Sequence, residues 1–459
     1  MITSFMQTIF KPIFGSFERE EFKKFLRMGL IFAFIIGSYW TMRVLKDAVI
    51  LNLIPDYNPI PYAKTVSILC LLPLVIFYTK LLDKFSREKV FYVLATFYSV
   101  AMLVFAVLIM SPFVGQAPAE IILARTGFAA YATQILGYVW YVFVESFGSL
   151  VVALFWAFSS DITLPDSAKK GFPFVVAIGQ IGGIIGPRYI TRIPQYFALS
   201  TSAVSVFICS LTVISLVFLM KHFLKATPQH LLTSFQGKNE KEVEKEHEPG
   251  FFEGLKLLVS HKYLLGIFAV VSFFEIIVTI FDFHFKNLAR TQYVGTALDA
   301  YLGAYGGWVN TISLICLLLG ISNVARFLGV RFALALMPLI IGGALVGFVT
   351  LDSLNFLFVL MVGSKAINYA LNGPTLKQLY IPTSHDARFK AQAWIETFGS
   401  RGAKEVASVF NMMHGWLGQA RHVLVSFYFG LGLVVVWFFS ALYLGKTYKH
   451  AVDEKKVIC

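Results

Sequence analysis

"SYWTMRVLKDAVIL", residues 38–51, continues an apolar run that opens with "GLIFAFIIG" at 29–37. It sets Arg43, Lys46 and Asp47 inside a stretch long enough to cross a bilayer. Bringing one charge to the middle of a membrane costs roughly 3 kcal/mol. The spacing i, i+3, i+4 puts all three on one helix face. An Arg43–Asp47 ion pair would neutralise itself inside a bundle, yet it leaves Lys46 without a partner on its own helix. A device that only fixes helix register has no use for a spare cation. The segment therefore reads as a membrane helix facing a functional interior.

The rest of the chain agrees. Of 459 residues, 57% are hydrophobic and only 14% charged, with a mean hydropathy of +0.71. A soluble protein of this length needs far more polar surface, so the chain reads as an integral membrane protein. The net charge of +13 falls mostly in short connections, as topology anchors do, and is not a nucleic-acid patch. Four scattered cysteines, Cys70, Cys209, Cys316 and Cys459, suggest neither a disulfide framework nor a metal site. Residues 1–26 lack the apolar core of a signal peptide, and no transit peptide is evident. "FMQTIFKPIFGSFEREEFKKFL", 5–26, instead suits an interfacial amphipathic helix.

Apolar runs of spanning length occur at about 28–53, 62–83, 90–113, 130–158, 172–194, 199–223, 263–287, 298–322, 331–350, 354–382, 389–417 and 421–445. The expected fold is all-α and polytopic, with twelve transmembrane helices. The long polar stretch between the sixth and seventh divides them six plus six. The expected organisation is a cytoplasmic segment 1–26, an N-terminal half 27–223, a cytoplasmic linker 224–262, a C-terminal half 263–445 and a cytoplasmic tail 446–459. Lys and Arg crowd the N-terminus, the second and fourth connections, the linker and the tail, whereas "PDYNPIPYAK", "APAEIILAR" and "TLDSLN" are poorer. Both termini are thus expected in the cytoplasm. "KLLDKFSREKVFYVL" after the second span and "ISNVARFLGVRFALAL" after the eighth are short basic turns at matching places. They resemble the loop signature of the major facilitator superfamily, which implies a parallel repeat with substrate held midway between the halves.

Further buried charges recur at equivalent places in that repeat. The fourth span, "YVWYVFVESFGSLVVALFWAF", holds Glu145. The seventh, "VVSFFEIIVTIFDFHFKNLA", holds Glu275, Asp282, His284 and Lys286. Asp282 and Lys286 lie one turn apart. The tenth, "GSKAINYALNGPTLKQLYIP", has Lys365, Lys377 and a Gly-Pro break; the eleventh has Glu396, Arg401, Lys404 and Glu405. Cations grouped in a low dielectric suit a polyanion such as a phosphate ester. The carboxylates can take a proton or trade partners with the lysines. Tyr39, Tyr141 and Tyr369 are candidates for stacking on a flat base, with bundle packing as the competing reading.

Other features read as structural. "GQIGGIIGPR" places Gly179, Gly183 and Gly186 at close-packing spacing. His284 on its own reads as a satisfied interior histidine. "LGKT" at 444–447 lacks the upstream glycine of a phosphate loop. No recognisable catalytic set appears, so an enzyme is not expected.

Taken together, the motifs resemble those of the bacterial and plastid nucleotide transporters, the ATP/ADP translocase family. "YWTMRVLKDAVI" is similar to the first-helix signature and "YVFVESFGSLVVALFWAFSSDIT" to the fourth. "FDFHFKNLA" resembles the seventh-helix motif, and "SKAINYALNGPTLKQLYIP" and "RFKAQAWIETFGSRGAKEV" the tenth and eleventh. The resemblance implies a facilitator-like twelve-helix fold that carries nucleotides. It sets the family's four central polar positions on Lys46, Glu145, Asp282 and position 376. The last is Leu376, and the nearest lysine is Lys377. The expected substrate set is Arg43, Lys46, Glu145, Asp282, Lys286, Lys377, Arg401 and Lys404. Lys46, supported by Arg43, would hold phosphate oxygens, with Glu145 and Asp282 as switching carboxylates. ATP/ADP exchange by alternating access is the leading expectation, the nucleotide arriving with or without magnesium and with no cofactor or resident metal. The expected location is a bacterial inner membrane. A proton-coupled importer of other nucleotides or phosphorylated anions is the near alternative, and a membrane-embedded enzyme or scaffold the distant one.

Overall fold

The computed structural model describes residues 17–232, 251–319, 329–351, 353–384 and 391–458. Among the described residues, each of the twelve apolar runs falls mainly on helix. In chain order these are α1 (Arg19–Leu53), α2 (Ile60–Lys84), α3 (Arg87–Met110), α4 (Gly127–Asp161), α5 (Pro165–Ile185), α6 (Ala203–Ala226), α7 (Lys262–Gln292), α8 (Thr296–Leu318), α9 (Val330–Thr350), α10 (Leu354–Ile367), α11 (Ser400–Met412) and α12 (His414–Asp453). Among the described residues, nine helices are long and apolar enough to cross a membrane. Helices α2, α10 and α11 are the remaining three, with shorter apolar stretches at Ile60–Leu71 and Leu354–Ile367. The architecture is all-α, polytopic and membrane-embedded.

The interfacial helix read over 5–26 lies mostly outside the described residues, and its last part is the first turns of α1. The basic turn after the eighth span also lies largely outside them, as does the polar stretch 233–250.

The chain packs as two compact units. The first comprises Met1–Lys238 and Arg290–Leu314, the second Asn239–Ala289 and Ile315–Cys459. In the first, α1 runs against α5, α4 and α6, and α3 pairs with α6. The α1–α5 approach is very close because small residues line it. A Cβ on Gly182 would strike the backbone carbonyl of Ala33, and one on Gly186 that of Gly37. The "GQIGGIIGPR" glycines thus serve packing. In the second unit α9 lies along α12.

Among the described residues, helices widen into π turns at Gly186–Ile190, Asn368–Asn372 and Ile395–Gly399. The second sits just before Gly373 and Pro374, the Gly-Pro break read from the sequence. The chain stays helical there, with αR dihedrals at Asn372 and Gly373. A π turn admits one extra residue, which accommodates a proline that cannot donate to the preceding turn. Helix α12 kinks at Gly418, whose φ of 72° lies in the left-handed region that glycine tolerates.

Candidate functional site

In the first unit, Lys46 of α1 is buried at 5% exposure. Its partner comes from another helix: Nζ donates to Oε1 of Glu145 on α4. It also lies 3.8 Å from Asp47 Oδ1 and 4.2 Å from the centre of the Tyr141 ring. The expectation that Lys46 is left unpaired is therefore corrected: the fourth helix supplies its hydrogen-bonded acid, and Asp47 of its own helix stands at 3.8 Å. The pair is asymmetric. The Lys46 side chain is 6% exposed, that of Glu145 36%. A buried ammonium needs a counter-charge, and here the counter-charge is the more exposed of the two.

Arg43 donates to the Tyr39 hydroxyl at 3.0 Å, and its guanidinium lies 4.9 Å from the Trp40 ring centre. Tyr39 is half-buried and packs on Gly148 of α4, where a Cβ would collide with its ring. Tyr141 is fully buried beneath Lys46.

In the second unit, Asp282 and Lys286 of α7 are both buried and hydrogen-bonded, Nζ to Oδ2 at 2.5 Å. Lys365 of α10 approaches the other oxygen of Asp282 at 3.8 Å. One carboxylate thus stands between two lysines. Lys404 of α11 lies 3.4 Å from Glu275 Oε2, and Ser400 donates to Oε1 of the same acid at 3.1 Å. Arg401 is half-buried next to Ser400. Lys377 lies apart from the Asp282 cluster. It is 67% exposed, with Glu396 at 4.0 Å. Tyr369, in the π turn, is 47% exposed.

Sequence reasoning had noted Lys365 as a charge on the tenth span without placing it in the site. Its signal was an ammonium in an apolar helix with no acid within a turn. Each unit therefore carries a lysine–carboxylate cluster built from helices far apart in sequence: α1 with α4, and α7 with α10.

A family model described as TLC ATP/ADP transporter matches residues 3–359. The chain belongs to that family. It is 25% identical to the ADP,ATP carrier protein 1 of Rickettsia conorii, over 95% of each chain. It is 27% identical to the Rickettsia bellii protein of that name, over 97% of each. A chloroplastic ADP,ATP carrier protein 2 of Arabidopsis thaliana is 24% identical over 97% of this chain and 78% of its own. Among solved structures, a bacterial homologue of the iron transporter ferroportin in an inward-facing state matches with a TM-score of 0.60. It shares 11% identity and covers 93% of this chain and 98% of its own. A D-xylose–proton symporter matches with a TM-score of 0.55 at 16% identity, over 92% and 95%. These likenesses establish a major-facilitator-like fold for this member of the TLC family.

Proposed function

We propose that this TLC-family transporter exchanges ATP for ADP across a bacterial inner membrane by alternating access, with both termini in the cytoplasm. Carriers similar to it are named for ADP and ATP. The observation that carries the mechanism is the asymmetric Lys46–Glu145 pair. A phosphate chain entering beside Glu145 meets a buried ammonium already desolvated and oriented. Phosphate oxygens replace the carboxylate as the partner of Lys46, and Arg43, held over Trp40, adds a second cation. Glu145 is then released to take a proton or another cation. Asp282, between Lys286 and Lys365, makes the same exchange in the other half. Each half thereby trades an internal ion pair for a substrate-bridged one, and substrate binding feeds directly into the switch.

Uptake of labelled ATP into proteoliposomes, empty or preloaded with ADP, tests this. Exchange predicts uptake only into preloaded vesicles, inhibited by ADP and not by sugar phosphates. Equal uptake into empty vesicles would overturn it.

A further inference from the structure

The buried charges described above lie on the first, fourth, seventh, tenth and eleventh spans. The fifth span carries another that the site above does not use. Arg188 lies in the π turn Gly186–Ile190, inside the apolar span Lys170–Tyr196 and about two helical turns short of its end. It is half-buried, and its guanidinium lies over the indole of Trp308 on α8, 4.8 Å from the ring centre. Both residues belong to the first unit. Among the described residues the ring is its one partner: the guanidinium makes no ion pair and no hydrogen bond there.

Glycines bring the two together. Gly306 of α8 packs so close to α1 and α5 that a Cβ would stand 3.0 Å from Val44 Cγ1 and 3.3 Å from Pro187 Cβ. The Arg188 stem crosses α8 at Gly307, where a Cβ would come 3.1 Å from the arginine Cβ and 3.6 Å from its Cδ. Trp308 is the next residue, and it is 39% exposed. On α1, Val44 lies between Arg43 and Lys46. Val44 and Pro187 flank the same glycine, so Arg188 stands within about one helical turn of the depth of those two cations. A helical side chain leans toward its helix N-terminus, which for Arg188 is away from the nearer end of the span. The guanidinium is therefore not drawn out to the headgroups. A partly exposed cation at this depth faces water or a ligand.

A ring engages a guanidinium through its face, and the five N–H groups lie in the guanidinium plane, where they stay available. An arginine held this way grips an oxyanion edge-on, two oxygens at a time, and loses little freedom in doing so. Arg43 over Trp40 repeats the device at 4.9 Å. Condensed phosphates suit such a cation better than a single phosphate does. Each further phosphate adds negative charge to a nucleotide, and in a low dielectric each added charge feels a nearby cation strongly.

We propose that Arg188, steadied by Trp308, is a further substrate-binding residue that takes phosphate oxygens of the nucleotide, and that it makes tri- and diphosphates better ligands than monophosphates. This rests on the nucleotide reading above and adds to it a contact on the fifth span. Lys46 and Arg43 hold the phosphate chain from α1, and Arg188 holds it from the π turn that continues α5. Phosphate oxygens accept from the in-plane N–H groups while the indole keeps the face, so binding here displaces no acid among the described residues. Trp308 is a positioning residue. It sets the plane of the guanidinium and does not itself touch phosphate.

The test is equilibrium binding of labelled ATP, ADP, AMP and inorganic triphosphate to the full chain in detergent, with ATP uptake into empty and ADP-loaded proteoliposomes. Arg188→Gln should weaken ATP and triphosphate by about tenfold or more, ADP by less and AMP by no more than about twofold. Arg188→Lys, which keeps the charge without the fork, should recover part of the ATP affinity. Trp308→Leu should flatten the preference for ATP over AMP, and Trp308→Phe, which restores a face, should keep it. Arg192→Gln, about one turn further along and over no ring among the described residues, should leave all four ligands within about twofold. Wild-type ATP affinity in Arg188→Gln overturns the proposal. So does equal weakening of ATP and AMP, the mark of a structural loss, or an equal effect of Arg192→Gln, the mark of a distant field. If the wild type binds triphosphate better than Arg188→Gln does, yet takes up ATP equally into empty and loaded vesicles, the exchange reading fails and the Arg188 site stands. Exchange with unaltered nucleotide preference in Arg188→Gln leaves that reading standing and removes the site. A wild type that binds neither nucleotides nor triphosphate removes both.

Discussion

At the scale of single residues, the decisive fact is that Lys46 and its partner lie 99 positions apart. The sequence exposes the cost of a buried charge, because that cost is local. It does not expose the compensation, because the compensating acid arrives by packing. Arg43, Lys46, Glu145 and Asp282 were thus legible as oddities, and so was the i,i+4 pairing of Asp282 with Lys286; the pairing of Lys46 with Glu145 was not. Lys46→Gln should lower ATP uptake at low substrate by about ten- to a hundredfold, the worth of a charge-assisted hydrogen bond. Glu145→Gln should instead spare equilibrium nucleotide binding and slow turnover, since it frees Lys46 but removes the partner needed to reset it. Filter-binding and uptake assays on both variants check this; equal loss of binding in the two would refute the division of labour. The tenth helix offers a second contrast. Attention to position 376 drew the sequence reading toward Lys377, whereas Lys365 reaches Asp282 and Lys377 is two-thirds exposed. Uptake by Lys365→Gln should fall at least tenfold, and Lys377→Gln should stay within about twofold of the wild type.

At the scale of elements, all twelve helices were visible as apolar runs, since length and hydropathy are local properties. What escaped was how helices depart from regularity. The sequence marks a break at Gly373–Pro374, but the π turn lies just before it, at Asn368–Asn372. A proline constrains the turn behind it, and whether that turn opens or widens depends on neighbours that no local pattern records. Close packing at the α5 glycines was foreseen from their spacing; that α1 is the partner was not, and the contact is unforgiving. Gly182→Val should destabilise the chain by about 3 kcal/mol or more, because the new atoms meet backbone that cannot rotate away. Gly343→Ala, where a Cβ meets nothing within 4 Å, is the control. Thermal unfolding in detergent should separate the two; matching midpoints would mean that α1 and α5 can move apart at little cost.

At the scale of the whole molecule, the sequence divides the chain at its long polar stretch, six helices to a side. The compact units follow a different line, since 290–314 packs with the first unit. The polar ties explain it. Asn52 of α1 exchanges two hydrogen bonds with the Gly295 backbone, at 3.1 and 3.2 Å. Ser202, at the start of α6, donates to the buried Asp299 at 2.6 Å. Such ties span up to 243 positions, beyond the reach of any periodicity. If α8 moves with the C-terminal half during transport, they must break in each cycle. Cysteines at 52 and 295, in a background without native cysteines, should cross-link on oxidation. Uptake should then stop and return on reduction. Undiminished uptake by the cross-linked protein would show that this contact persists through the cycle.

That arrangement also orders events at the ribosome. The first unit is incomplete until residues 290–314 have been made, well after its sixth helix has left the exit tunnel. Until then the α6 end at Ser202 and the α1 end at Asn52 wait in the membrane with their later partners still unsynthesised. The early helices must therefore be held, by lipid or by the insertion machinery, in a state that is inserted but unfinished. A nascent chain arrested within the polar stretch would be the species to isolate, and its α1 and α6 ends should be open to protease or to labelling until translation resumes.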